Sequence, residues 1–318
     1  MTIRLISRAS EPGRPTISWP EFWSVLGFAV MAMTPGGASI AQDDPAQTAM
    51  HGVTIEAQRA TIDHRVRAFI GEITRSTRFD SQSLAKWHQP LCFLVGGLPK
   101  TQDEFVLSRL SQTAASADIG LAPQPCRPNF FVLLTSEPDR LLKQWSARNP
   151  HLFGNATPAQ IRGFIEPSRP RTVRAWHNAV AMNRDGTPLI GDPSCGLSHY
   201  WTPGAPPVSC QYQPSRLVYY DVQAFSLAIV VVDTTRARSS SFGQLADYVA
   251  MVGLAQIDPD ADVGDAPTIL RLFTSSPIPP PGLTAWDRAF LSALYHTDQS
   301  SPVQRSQIAV RMVQDVSQ

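Results

Sequence analysis

The chain has 318 residues, with 27 basic and 26 acidic side chains, and 43% of its residues are hydrophobic. Near-neutrality excludes an overall electrostatic footprint for nucleic acid or an anionic membrane surface. The apolar content is enough for a sizeable core, built as one large domain or two lobes.

Arg4, Arg8 and Arg14 precede the apolar run FWSVLGFAVMAM, which TPGGASIA follows. A basic stretch, a short apolar run and small residues at Ser39 and Ala41 read as an export signal over residues 1–41. The apolar run is about a dozen residues, short of the roughly 20 that cross a bilayer comfortably. An uncleaved N-terminal anchor is the alternative reading. Cleavage would leave a periplasmic or secreted protein with no stable membrane span and no nucleic-acid partner.

Residues 42–63 are polar and read as a flexible segment, leaving 64–318 as a single domain. Helices are expected over 62–74 and, shorter, over 81–88. LCFLVGGL, residues 91–98, reads as a buried strand ended by two glycines. Residues 101–118 space Phe105, Leu107, Leu110 and Ala114 or Ala115 for a helix, with Thr101 as its cap. A strand at 129–136 and a helix from Pro138 to Pro150 follow. VRAWHNAVAM, 173–182, is a further strand, and the loop-rich 183–214 reads as an insertion. An extended region at 215–233, broken near Gln223, ends in AFSLAIVVVD, apolar on both faces like a central strand. It feeds a helix over 242–254, after which come an irregular segment and terminal helices. Helix and strand alternation of this kind predicts an α/β (α+β) fold with a mixed sheet.

Four cysteines in an exported chain favour disulfides. Cys195 and Cys210 bracket a Gly/Pro-rich loop, while Cys92 and Cys126 each sit at the lip of a strand. Of three pairings, Cys92–Cys126 with Cys195–Cys210 is the expectation. No C-x-x-C spacing supports a zinc site instead.

The helix FGQLADYVAMVGLAQID, 242–258, carries the most specific pattern. Metzincin peptidases place H-E-x-x-H-x-x-G-x-x-H on such a frame. Aligned by Gly253, this chain has Ala246, Asp247, Ala250 and Gln256 where His, Glu, His and His would stand. Two alanines donate no lone pair and a glutamine amide is a poor partner for zinc, so these residues cannot hold catalytic metal. Leu245, Val249, Val252 and Leu254 would make a plain buried face unaided. Downstream, DAPTILRLF, a proline-rich turn and LTAWDRAFLSALY follow in order. Thr284 is a sound N-cap with Asp287 at the third helical position, a capping box.

Taken together, residues 220–296 resemble the tail of matrixin-type metzincins. There, a hydrophobic turn carrying a methionine underlies the metal, and a helix of pattern L-[ST]-x-x-D-x-x-x-[IL]-x-x-L-Y packs behind it. Leu283, Thr284, Asp287, Leu291, Leu294 and Tyr295 match that helix, and Leu270 falls near the methionine's place. The chain is also similar to exported bacterial proteins in which such a helix keeps its shape without its ligands. The resemblance implies a zincin-like sheet, a cleft beside the 224–233 strand, and a binding or scaffold module without peptidase activity or cofactor. Its partner would be a protein or peptide. The alternatives are a hydrolase using Asp247 as acid or base, and a purely structural envelope protein.

Other candidates are weaker. DPDADVGDAPTI, 258–269, lacks the glycine and glutamate of a calcium loop, although Asp258, Asp260, Asp262 and Asp265 leave a looser site open. Ser198 beside His199 is not a nucleophile elbow. The histidines show no ligand spacing, and His88 and His177, each beside a tryptophan, read as structural.

Overall fold

VQAFSLAIVVVD forms β5, Val222–Asp233, and is buried along almost its whole length. The computed structural model describes residues 45–74, 83–154, 156–182, 222–274, 278–298 and 303–317. By contact the chain divides into residues 1–48, of which only the start of a helix at Pro45 is described, and residues 49–318, the folded body.

The sheet is mixed. β2 (Phe93–Gly96), β3 (Phe130–Thr135) and β5 run parallel, and β4 (Val173–Met182) pairs antiparallel along β5 from Val222 to Val232. β1 (Lys86–Trp87) pairs parallel with Ala224 and Phe225, whereas β3 pairs with Ala228 to Asp233. Since β4 occupies one edge of β5, β1 and β3 share the other in tandem. A bulge sets Asn178 against Leu227 and Ala179 against Phe225, skipping Ser226. The extra residue reverses the alternation, so Phe225 and Ala228 enter the same core.

Helices cover both faces, which is why β5 is apolar on both. On one face α2 (Lys100–Ser116) and α5 (Phe242–Leu254) pack on Phe130, Val132, Val230 and Val232. The same core takes in α1 (Pro45–Ile73), α6 (Ala285–His296) and α7 (Gln304–Val316). On the other face α3 (Pro138–Arg148) and α4 (Pro158–Ile165) enclose Trp176, Leu227, Ile229 and Val231. The α/β class and the mixed sheet with C-terminal helices are therefore as the periodicity predicts.

Several local expectations are corrected. Helix α1 begins at Pro45, well ahead of the expected start at 62, in a stretch that includes several alanines and glutamines, good helix formers. Lys86–Trp87 is a strand rather than part of a helix, held by β5. Strand β5 begins at Val222 and includes Gln223, while residues 215–221 of the expected extended region lie outside the described residues; α2 buries Val106, Leu110, Thr113 and Ala114 while Phe105 and Leu107 stay exposed. Its N-cap position is Pro99, not Thr101, and Asp103 accepts from the Leu98 N–H at 3.3 Å. Helix α4, opened by a Thr157–Gln160 capping box, is an additional element.

Cys92 and Cys126 form a disulfide with Cα atoms 6.0 Å apart, fastening the loop before β3 to the start of β2. The export signal, the Cys195–Cys210 pairing, Ser198 and His199 lie outside the described residues.

Candidate functional site

Helix α5 starts where Ser241 and Gln244 exchange hydrogen bonds, a capping box the apolar pattern hides. From Leu245 to Leu254 every residue is buried. Seven residues from Ala246 and three from Ala250, Gly253 lies on their side of the helix. A Cβ on Gly253 would lie 2.1 Å from Cζ of Phe130, so this face rests directly on β3. Ala246 and Ala250 are thus the small residues that let a helix lie close on an aromatic strand, and both are 0% exposed.

Asp247 turns toward α2. Its Oδ1 accepts from Arg109 Nε at 2.6 Å and its Oδ2 from Arg109 Nη2 at 2.7 Å, while the Leu283 N–H donates to Oδ2 at 2.8 Å. The carboxylate is 1% exposed and the guanidinium side chain 41%. The side-chain hydrogen bond to Asp247 pushes the Arg109 pKa further up. Gly282 leaves room for it: a Cβ there would stand 2.6 Å from Asp247 Oδ2. This carboxylate joins three segments and has no free face for acid–base chemistry.

Gln256 is buried as well. Its Oε1 accepts from the Ala85 N–H at 2.5 Å, and Gln304 accepts from the neighbouring Leu84 N–H at 2.7 Å. Two glutamines from separate segments thereby clamp the chain entering β1. Ala246 and Ala250 share one face, Asp247 points to α2, and Gln256 is committed to Ala85. Paired on both edges, β5 has no open groove along its backbone among the described residues. The cleft expected beside 224–233 is filled by β4 on one side and by β1 and β3 on the other.

The end of α5 is tied by side chains from distant elements. Trp87 Nε1 donates to the Gly253 carbonyl at 3.2 Å, and His177 Nε2 lies 3.3 Å from the same oxygen. Tyr295 donates to the Leu254 carbonyl at 2.6 Å and accepts from the Trp87 N–H at 3.3 Å. Burial pushes the Tyr295 phenol well above its ordinary pKa, keeping the donor proton in place. Lys86, its pKa lowered by burial, donates to the carbonyls of Tyr295 and Thr297 at the end of α6.

Behind this lies the second expected constellation. Thr284 caps α6 and Asp287 completes the box as its spacing predicts. Asp287 also reaches back: Thr268 Oγ1 donates to Oδ1 at 2.5 Å and the Ile269 N–H to Oδ2 at 2.8 Å. The short 3-10 helix Ile269–Phe273, with Leu270 buried, is thereby pinned to α6. Burial raises the Asp287 pKa, with the hydrogen bonds from Thr268, Thr284 and Ile269 acting the other way.

The acidic loop has its own partners. Asp258 accepts from the Asp260 N–H and Asp262 from the Gly264 N–H, while Asp260 pairs with Arg171 and Asp265 with Arg65. Among the described residues no three metal-ligating side chains gather at one point. Sequence reasoning missed Arg109, Gln304 and the 84–85 amides. Only the pairing of α2 with α5 brings Arg109 to Asp247, and nothing in local spacing signals it. No protein-family model matches this chain, and neither the curated proteins nor the solved structures contain a match.

Proposed function

We propose that this protein is an extracytoplasmic, zincin-like module without peptidase activity that acts by binding or scaffolding. The disulfide Cys92–Cys126 is compatible with an extracytoplasmic location. The zincin-like reading draws support from an order of parts: an antiparallel strand beside β5, a helix fed by β5 and ended near Gly253, a buried turn at Leu270, and a capped helix at Thr284. One observation carries the loss of catalysis. Asp247, alone in the frame in keeping an acid–base group, is buried under Arg109 and the Leu283 amide. The flanking Ala246 and Ala250 supply no electron pair for a metal.

Metal analysis with a peptidase assay tests this reading. Purified full-length protein is expected to retain no stoichiometric zinc after dialysis and to cleave no peptide in a broad substrate pool. About one tightly held zinc per chain, with proteolysis abolished by a chelator, would overturn it.

A further inference from the structure

The near-neutral composition hides an uneven distribution of charge. Residues 137–174, which supply α3, α4 and the start of β4, contain seven basic side chains and three acidic ones, against 27 and 26 in the whole chain. α3 and α4 cover one face of the sheet, so the exposed basic side chains they carry lie on that side of the folded body.

Part of that charge is locally matched. Arg140 pairs with Glu137, Lys143 with Glu166, Arg171 with Asp260, and the buried Arg174 with Asp139. Arg148, Arg162 and Arg169 are exposed, and among the described residues no carboxylate lies within ion-pair distance of any of them. They stand at the end of α3, on α4 and in the turn before β4. Guanidinium groups left exposed and unpaired engage phosphate oxygens with two parallel hydrogen bonds each.

We infer that the α3–α4 face is a peripheral docking surface for anionic phospholipid headgroups. Charge complementarity selects an anionic partner, and the guanidinium fork suits the paired oxygens of a phosphate as it does those of a carboxylate. An extracytoplasmic protein meets phosphate chiefly as a membrane surface, so this inference rests on the location in the reading above and not on its zincin-like scaffold. The apolar sides of α3 and α4 are spent on the core through Leu142, Phe164 and Ile165, so contact is electrostatic rather than inserted.

Sedimentation of the full chain with lipid vesicles tests it. Vesicles one-third phosphatidylglycerol are expected to bind the protein at low salt, release it at high salt, and outcompete pure phosphatidylcholine vesicles. Each basic residue beside an anionic surface changes partitioning about fivefold. Combined Arg148→Ser, Arg162→Ser and Arg169→Ser should therefore lower partitioning roughly a hundredfold with the circular-dichroism melt unchanged. Binding through the apolar run at 22–33 would instead ignore salt and survive the triple substitution. That outcome, no binding at low salt, or equal binding to both lipids would overturn the inference. So would a short DNA duplex bound as tightly as the anionic vesicles, which would mark a general polyanion surface. No metal or peptidase readout enters the assay, so its failure leaves the zincin-like reading standing.

Discussion

Asp247 and Arg109 show how one residue pair converts a catalytic-looking position into a structural one. The carboxylate lies inside the protein while the guanidinium reaches solvent, so the two partners are not equivalent when removed. Arg109→Ala strands a buried charge, and breaking a buried pair in that way costs about 3–5 kcal/mol. Asp247→Asn leaves an amide oxygen for the Leu283 N–H and an arginine that water can reach, so a loss of about 1–2 kcal/mol is expected. Urea unfolding of both variants at neutral pH checks the asymmetry. Equal losses would mean that the burial of Asp247 does not govern its energetics. The alanines at 246 and 250 follow the same logic, since neither could grow without displacing α5 from the sheet.

At the scale of elements, α6 and the 3-10 helix Ile269–Phe273 act as one unit through Asp287. Burial raises the folded-state pKa of this carboxyl above its ordinary value of 3.8. Its neutral form is therefore favoured by folding. The contribution is fully present below the unfolded-state pKa and is lost as pH rises through the folded-state pKa. Asp287→Asn removes that titration. The stability of the native protein relative to this variant should accordingly improve as pH falls from neutral toward 4, as read from paired thermal melts. A difference that stayed flat, or moved the other way, would show that the hydrogen bonds from Thr268, Thr284 and Ile269 outweigh desolvation. The cap itself was legible from sequence because a capping box is a contact between near neighbours. The reach from Asp287 to Thr268 was not, since it closes across a turn whose path local spacing leaves open.

For the whole molecule, the Cys92–Cys126 bond closes a loop of sequence separation 34 between β2 and β3. Chain-entropy arguments assign such a loop about 3–4 kcal/mol. Cys92→Ser with Cys126→Ser should lower the unfolding free energy by that amount, measured by denaturant titration under non-reducing conditions. An unchanged midpoint would show that β2–β3 pairing already closes the loop in the unfolded ensemble. Much of the architecture could be read in advance. The apolar runs at 91–98, 129–136, 173–182 and 224–233 and the helix at 242–254 follow from periodicity and from Ser, Thr, Gly and Pro at their ends. So does the position of Thr284 and Asp287, because these signals act over one or two turns of chain. What only the tertiary structure decided is what the marked residues do. Asp247 meets Arg109, Gln256 meets Ala85, and α3 and α4 bring the exposed Arg148 and Arg162 to one face of the sheet. Those relations arise when segments far apart in sequence pack together, and a hydrogen bond or a charge field depends on distance in space rather than on distance along the chain.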